Sequence, residues 1–180
     1  MGRLHLIMGC MFAQKTTELL RRVRRYRSIG YKVLTVKFID DTRYNTKCIA
    51  THDKEFEEAI CIRKLEEIEP LLDVYDVIAI DEGQFFSDLY ECVTHWADIL
   101  PLHIVVAGLD GDANRQPFGD MLRLIPHAEE VERLSAFCAV CRDGTVATYS
   151  KYMNDLSVKR EHEIGGAELY QPVCRKHYII

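Results

Sequence analysis

The chain has no apolar stretch approaching the ~20 residues that a membrane-spanning helix needs, so no membrane partner is expected. It has little resembling a secretory leader. The apolar run at residues 4–8 is too short and leads straight into a glycine-rich turn. Gly2 would suit N-terminal myristoylation, but Leu6 stands where that signal wants Ser or Thr. Basic excess is missing too. A net charge of −5 over 180 residues excludes a general binder of nucleic acid. Internal repeats and low-complexity tracts are absent, and composition is that of an ordinary globular chain with one core and room for a small appendage.

Cysteine, by contrast, is plentiful, at seven residues. With no leader, a reducing, cytoplasmic setting is expected, and disulfides are not. Three of the seven fall in a pattern: Cys138-x-x-Cys141, then Cys174-x-x-His177. Two pairs of soft ligands, each separated by two residues, are how a chain wraps one tetrahedral Zn²⁺. Four protein ligands leave no position for a catalytic water, so the metal is expected to be structural. Cys61 and Cys92 read as small buried apolar residues.

The N-terminal part alternates strand and helix signals. Residues 4–8, 32–38, 77–80 and 104–107 read as strands, and residues 17–27 and 87–100 as amphipathic helices. Short apolar strands separated by helices imply an α/β fold with a parallel sheet covered on both faces. The boundary is expected near Leu134, giving a nucleotide-binding domain over 1–134 and a zinc-held domain over 135–180. Residues 39–53 are polar and too long for an ordinary connection, which favours a lid or binding loop.

Gly9-Cys10-Met11-Phe12-Ala13-Gln14-Lys15-Thr16 follows a strand and opens a helix, as a phosphate-binding P-loop requires. Backbone N–H groups and the helix dipole favour an anion there. Lys15 would reach the β- and γ-phosphates of ATP, and Thr16 would place its hydroxyl on Mg²⁺. The second glycine of the pattern is Gln14 here; if left-handed, it would cost roughly 1–2 kcal/mol. The octapeptide alone fits a chance turn with a solvated Lys equally well. A second apolar strand, residues 77–80, ends in Asp81 and Glu82. Asp81 suits a metal-holding acid, and ligands of open α/β sheets bind beyond strand C-termini.

Taken together, the P-loop with its helix, Asp41-Thr42-Arg43-Tyr44, Asp81-Glu82-Gly83-Gln84-Phe85-Phe86, Leu109-Asp110-Gly111, Pro117-Phe118, the zinc pairs and Ile164-Gly165-Gly166-Ala167 with Tyr170 resemble the zinc-containing thymidine kinases of cytosol, bacteria and large DNA viruses. The resemblance runs in order over nearly the whole chain. It implies transfer of the γ-phosphoryl of ATP to the 5′-hydroxyl of thymidine, in a homotetramer. Glu82 would be the general base. Gly9, Cys10, Met11, Phe12, Ala13, Gln14, Lys15, Thr16, Asp81, Gln84, Asp41 and Arg43 would serve ATP and Mg²⁺. Met11, Phe85, Leu109, Phe118, Glu163, Ile164, Gly165 and Tyr170 would bind the nucleoside, under a lasso at 145–172 ordered by zinc. Met11, Phe85, Leu109 and Phe118 also suit plain core.

Further departures from the family pattern stand beside Gln14, with Ala13 in place of a small hydroxyl residue and Asp112-Ala113-Asn114 in place of a small residue, an aromatic and Gln. Cys10 replaces the usual Pro. Ala113 replaces an aromatic that packs on the base, a stacking contact worth of order 1–3 kcal/mol, so thymidine is expected to bind more weakly or the pocket to accept a bulkier base. Two rival readings remain: a non-catalytic nucleotide binder, and a zinc-ribbon ATPase acting on nucleic acid. The second is motivated by the run Arg21-Arg22-Val23-Arg24-Arg25-Tyr26-Arg27. Those arginines are expected on the solvent side of their helix, with Val23 facing the core.

Overall fold

A computed structural model describes residues 2–39, 48–50, 56–153 and 169–179, with the backbone alone at 48–50, 56 and 57. Its frame is a six-stranded, all-parallel sheet in the order β5-β2-β6-β7-β1-β8. The strands are β1 (Arg3–Gly9), β2 (Val33–Phe38), β5 (Ile60–Ile62), β6 (Val77–Ile80), β7 (His103–Leu109) and β8 (Glu130–Leu134). A short antiparallel pair, β3 (Cys48–Ala50) and β4 (Phe56–Glu58), precedes β5.

Side chains alternate across a strand, and here both faces are apolar, as a doubly covered parallel sheet requires. On one face Ile7, Val33, Val77, Ala79, Val105 and Ala107 pack against Leu19 and Val23 of helix α1 (Lys15–Ser28). On the other, Leu6, Leu34, Ile78, Ile80 and Ile104 pack against Leu89, Val93 and Trp96 of helix α2 (Leu89–Ile99). The 3₁₀ segments Leu65–Val74 and Met121–His127 complete that second core through Leu65, Ile68, Met121 and Leu124. The expected α/β architecture is therefore present. The second helix is shorter at each end than residues 87–100. Cys92 is buried as expected, while Cys61 is half-buried.

After Leu134 the chain enters small antiparallel sheets. Strand β9 (Ala136–Phe137) pairs with β10 (Val146–Ala147), and β11 (Tyr149–Tyr152) with β12 (Tyr170–Val173). A short helix, α3 (Arg175–Ile179), ends the described chain. Most of the expected lasso is thus strand where it is described.

The arginine run needs one correction. Arg22 does not lie on the solvent side: it is only 8% exposed. It donates to Glu18 of its own helix (2.8 Å) and to Glu130 and Glu132 of β8 (2.7 Å each). A parallel edge strand with two acids, and a helix that packs on its neighbour β1, leave three carboxylates in one place, and one guanidinium bridges them, with Arg21 also pairing Glu18. Arg21, Arg24, Arg25 and Arg27 are exposed. Hydrogen bonding from Arg22 holds the Glu130 carboxyl below its ordinary range, and that from Arg21, with Arg22, does the same for Glu18. Depressed carboxylates stabilise the fold above about pH 4 and lose that contribution as pH falls through their folded values. Arg22→Ala is expected to destabilise by about 2 kcal/mol at pH 7, less than for a fully buried pair because Glu130 and Glu132 are partly solvated. Urea unfolding at pH 7 and pH 3 checks this: the gap between wild type and variant should shrink at the lower pH.

Candidate active site

The carboxyl ends of β1, β7 and β6 lie side by side, with Gly9 in register with Leu109. Gly9 itself has φ 149°, and a Cβ there would strike the Leu134 carbonyl, so the strand can enter the loop beside β8 only as glycine. The loop then carries left-handed residues at Phe12 (φ 63°) and Gln14 (φ 62°). Interleaved left-handed residues make an anion-binding concavity from successive N–H groups. The strain of roughly 1–2 kcal/mol each is of the kind stored at functional sites. The Lys15 ammonium, buried, donates to the Cys10 carbonyl at 2.9 Å, which fixes it on the loop. Because Gln14 is exposed and left-handed, Gln14→Gly loses no packing and removes the Cβ strain. A gain of about 1 kcal/mol and a rise in Tm of about 2–4 °C are expected in a thermal melt.

Thr16, at the start of α1, faces Asp81 at the end of β6: its hydroxyl lies 3.2 and 3.3 Å from the two carboxylate oxygens. Asp81 is buried. A hydroxyl and a carboxylate of this kind form an all-oxygen donor set, which suits a hard divalent cation such as Mg²⁺.

The adjacent residue, Glu82, is half-buried and left-handed (φ 54°). Gln84 donates to its carboxylate at 2.6 Å, and the Gln84 carbonyl oxygen accepts the Leu109 N–H at 2.9 Å. Gln84 is only 4% exposed, so this amide is a fixed strut between the acid and strand β7. Gln84, expected among the ATP and Mg²⁺ groups, bridges Glu82 and Leu109. Gly119 (φ 54°) follows the same logic as Gly9, since a Cβ there would strike the backbone carbonyl of Gln84.

Met11, Leu109 and Phe118 form a buried apolar cluster, with Phe12, Phe85 and Tyr170 packed against it. Phe85 and Phe118 meet edge to face at 5.5 Å. These residues, drawn from the P-loop, the 3₁₀ turn after Glu82, the end of β7 and β12, come from distant parts of the sequence. Asp41, Arg43, Glu163, Ile164 and Gly165 lie outside the described residues.

Two contacts seat the C-terminal unit on this site. The Met11 N–H donates to the buried Ser150 hydroxyl at 3.0 Å, and the Cys10 thiol donates to the Ala147 carbonyl at 3.4 Å. Cys10 thus supplies a donor that the Pro usual in the resembling family lacks. The Ser150 contact was not foreseeable from the sequence, since 139 residues separate the partners and no local pattern marks Ser150.

The sulfurs of Cys138, Cys141 and Cys174 lie 3.5, 3.3 and 3.4 Å from His177 Nδ1, and Cys141 and Cys174 are 3.9 Å apart. A tetrahedral Zn²⁺ with bonds of about 2.0 Å to nitrogen and 2.3 Å to sulfur spaces its donors by roughly 3.5–3.8 Å. The four side chains therefore can hold one metal ion as a closed set. Burial works against a thiolate at Cys138, but backbone hydrogen bonds from Cys141, Cys174 and Val140 bring it down to about 5.

A family model described as thymidine kinase matches residues 2–178. The thymidine kinase of vaccinia virus (strain Western Reserve) is 44% identical over 179 residues, which are 99% of this chain and 97% of the viral one. The monkeypox virus thymidine kinase is similar at the same identity and coverage. That of variola virus (isolate Human/India/Ind3/1967) is 43% identical over 178 residues, again 99% and 97% of the two chains.

Proposed function

The chain belongs to the thymidine kinase family, and on that footing we propose that it transfers the γ-phosphoryl of ATP to the 5′-hydroxyl of thymidine. One observation carries the assignment of roles: the acid pair Asp81-Glu82 faces two ways. Asp81 meets Thr16 of the phosphate loop, while Glu82 is tied through Gln84 to Leu109, whose side chain belongs to the apolar cluster. A pair so placed suits a reaction between a phosphate donor on one side and an uncharged nucleoside, its base ring against apolar walls, on the other.

In this reading Lys15 and the amides of residues 12–16 bind the ATP phosphates. Thr16 and Asp81 would hold Mg²⁺, which supplies charge neutralisation between the β- and γ-phosphates when bound. Glu82 accepts the proton of the 5′-hydroxyl as that oxygen bonds to the γ-phosphorus and the bond to the β-phosphate oxygen breaks. Thymidine 5′-monophosphate and ADP result. Met11, Leu109, Phe118 and Phe85 wall the base and sugar, and Tyr170, beside Tyr152 at 5.3 Å, closes the sugar side. Asp41 and Arg43 serve as lid residues, and Glu163, Ile164 and Gly165 meet the base edge.

The remaining parts of the proposal are the division at 134/135 into a P-loop domain and a zinc domain, a structural Zn²⁺ in the Cys/His set, a homotetramer, and work in the cytoplasm, that of the host if the chain is viral. No described helix is long and apolar enough to cross a membrane. The rival nucleic-acid ATPase loses support, because the likeness to thymidine kinases runs over nearly the whole chain, although only Arg22 of the basic run is committed to internal carboxylates. Measuring phosphoryl transfer from ATP with thymidine, deoxyuridine, deoxycytidine and no nucleoside tests the assignment. Thymidine is expected to give the highest kcat/KM. Release of inorganic phosphate with every nucleoside untouched would sink it.

A further inference from the structure

Between Leu109 and Phe118 the chain makes a tight turn that closes on itself. Gly111 and Pro117 form a bridge, and the Asp112 carboxylate accepts the N–H groups of Asn114 and Gln116 at 2.8 Å each. Arg115 sits in this turn with φ 63°. The turn hands the chain directly to Phe118, which is buried among Met11 and Leu109. Its position therefore sets where that ring stands.

Arg133 of β8 holds the start of the turn, donating to the Asp110 carboxylate at 2.7 Å, and the C-terminal helix reaches its middle. The Tyr178 hydroxyl donates to the Ala113 carbonyl at 2.7 Å. The Arg115 guanidinium lies 4.4 Å over the Tyr178 ring and 5.7 Å over that of Tyr149. The two rings meet at 5.3 Å, and Arg175 lies over Tyr149 at 5.2 Å. Tyr178 follows His177 and donates its N–H to the carbonyl of Cys174, so two residues of the Cys/His set fix its backbone.

We propose that Tyr178 and Arg115 are a clasp by which the C-terminal helix positions the 111–117 turn, and through it the Phe118 wall of the nucleoside pocket. Both are positioning residues: neither touches the acid pair or the phosphate loop in the contacts given above. The clasp rests on the nucleoside-kinase reading. It gives the Cys/His set a specific means of acting on nucleoside affinity. It also gives Ala113 a role: its carbonyl anchors the turn where its side chain has no ring to offer.

The clasp predicts a split between the two substrates. Tyr178→Phe removes only the hydroxyl and leaves the ring beneath Arg115. Thymidine Kd by calorimetry, and its KM, should rise about fivefold, the effect of one neutral hydrogen bond. The KM for ATP and the bound metal per chain should stay at wild-type values, and the Tm should fall by no more than about 2–4 °C. Arg115→Met should weaken thymidine similarly, and the double variant should fall short of the product of the two effects. A general structural role would instead lower Tm further and weaken both substrates together, and that result overturns the clasp. So does unchanged thymidine affinity in both variants of a protein whose wild type binds thymidine. Wild-type protein that binds no thymidine overturns the kinase reading, and the clasp with it.

Discussion

Replacing Glu82 by Gln should lower kcat with thymidine by about 10²–10⁴-fold, the usual worth of a positioned general base. The exchange isolates the proton. Gln has the same shape, keeps a carbonyl oxygen for the Gln84 amide that now holds the carboxylate at 2.6 Å, and tolerates the left-handed backbone as well as Glu does. Thymidine affinity by calorimetry and the Tm should therefore change little. Loss of turnover with binding retained marks an interaction made in the transition state. If kcat stays within severalfold of wild type, another group takes the proton and the role given to Glu82 is wrong.

Stripping the Zn²⁺ proposed for the Cys/His set should also cost most of the activity, by loosening one part of the molecule. Among the described residues, the C-terminal unit has a core of four buried apolar residues, Cys138, Ala147, Val173 and Cys174, two of which belong to the Cys/His set. Ordering a backbone costs about 1–2 kcal/mol per residue, and so small a core cannot offset that. Metal binding of the order of 10–16 kcal/mol, as in zinc-finger peptides, can. Once that unit loosens, Ser150 leaves the Met11 N–H and Tyr178 leaves the Ala113 carbonyl. Both substrates should then bind poorly, and transfer should fall by at least about 100-fold. The large sheet has its own two cores and should stay folded. The single tryptophan, Trp96, lies in one of them at 1% exposure and reports on it alone. After treatment with a strong chelator, or in Cys141→Ser, Trp96 emission should keep its buried wavelength while activity collapses and the tyrosine near-ultraviolet signal falls only by the share of Tyr149, Tyr152, Tyr170 and Tyr178. Full activity in metal-free protein would refute the role of the cluster; loss of the Trp96 signal in step with activity would show one cooperative unit instead.

The parts of the fold that could be read from the chain were those with continuous apolar strands. β1, β2, β6 and β7 are largely buried on both faces, so apolar residues dominate them, even with Arg3, His5, Thr35, Lys37 and His103 included, and they stand out. β8 does not stand out, because Glu-Val-Glu-Arg-Leu is an edge strand whose acids are answered by Arg22, 108 residues away from Glu130. That same long-range pairing is why the arginine run misled: helical spacing alone does not tell which arginine meets a neighbouring strand's acids. In the site, the Cys/His spacing, the glycine-to-lysine loop and the acid pair are local patterns with a chemical reason, and all were visible. The struts were not. Gln84, Ser150 and Tyr178 act through single hydrogen bonds to Glu82, Met11 and Ala113, and a lone polar residue leaves no periodicity to read.

Phosphorus NMR of the product formed from ATP, Mg²⁺ and thymidine tests the central claim most directly. The account predicts a phosphomonoester resonance split into a triplet by the two C5′ protons, growing as the γ-phosphate signal of ATP declines and absent with Glu82→Gln. A doublet, from attachment at the single C3′ proton, or growth of inorganic phosphate alone, would contradict it.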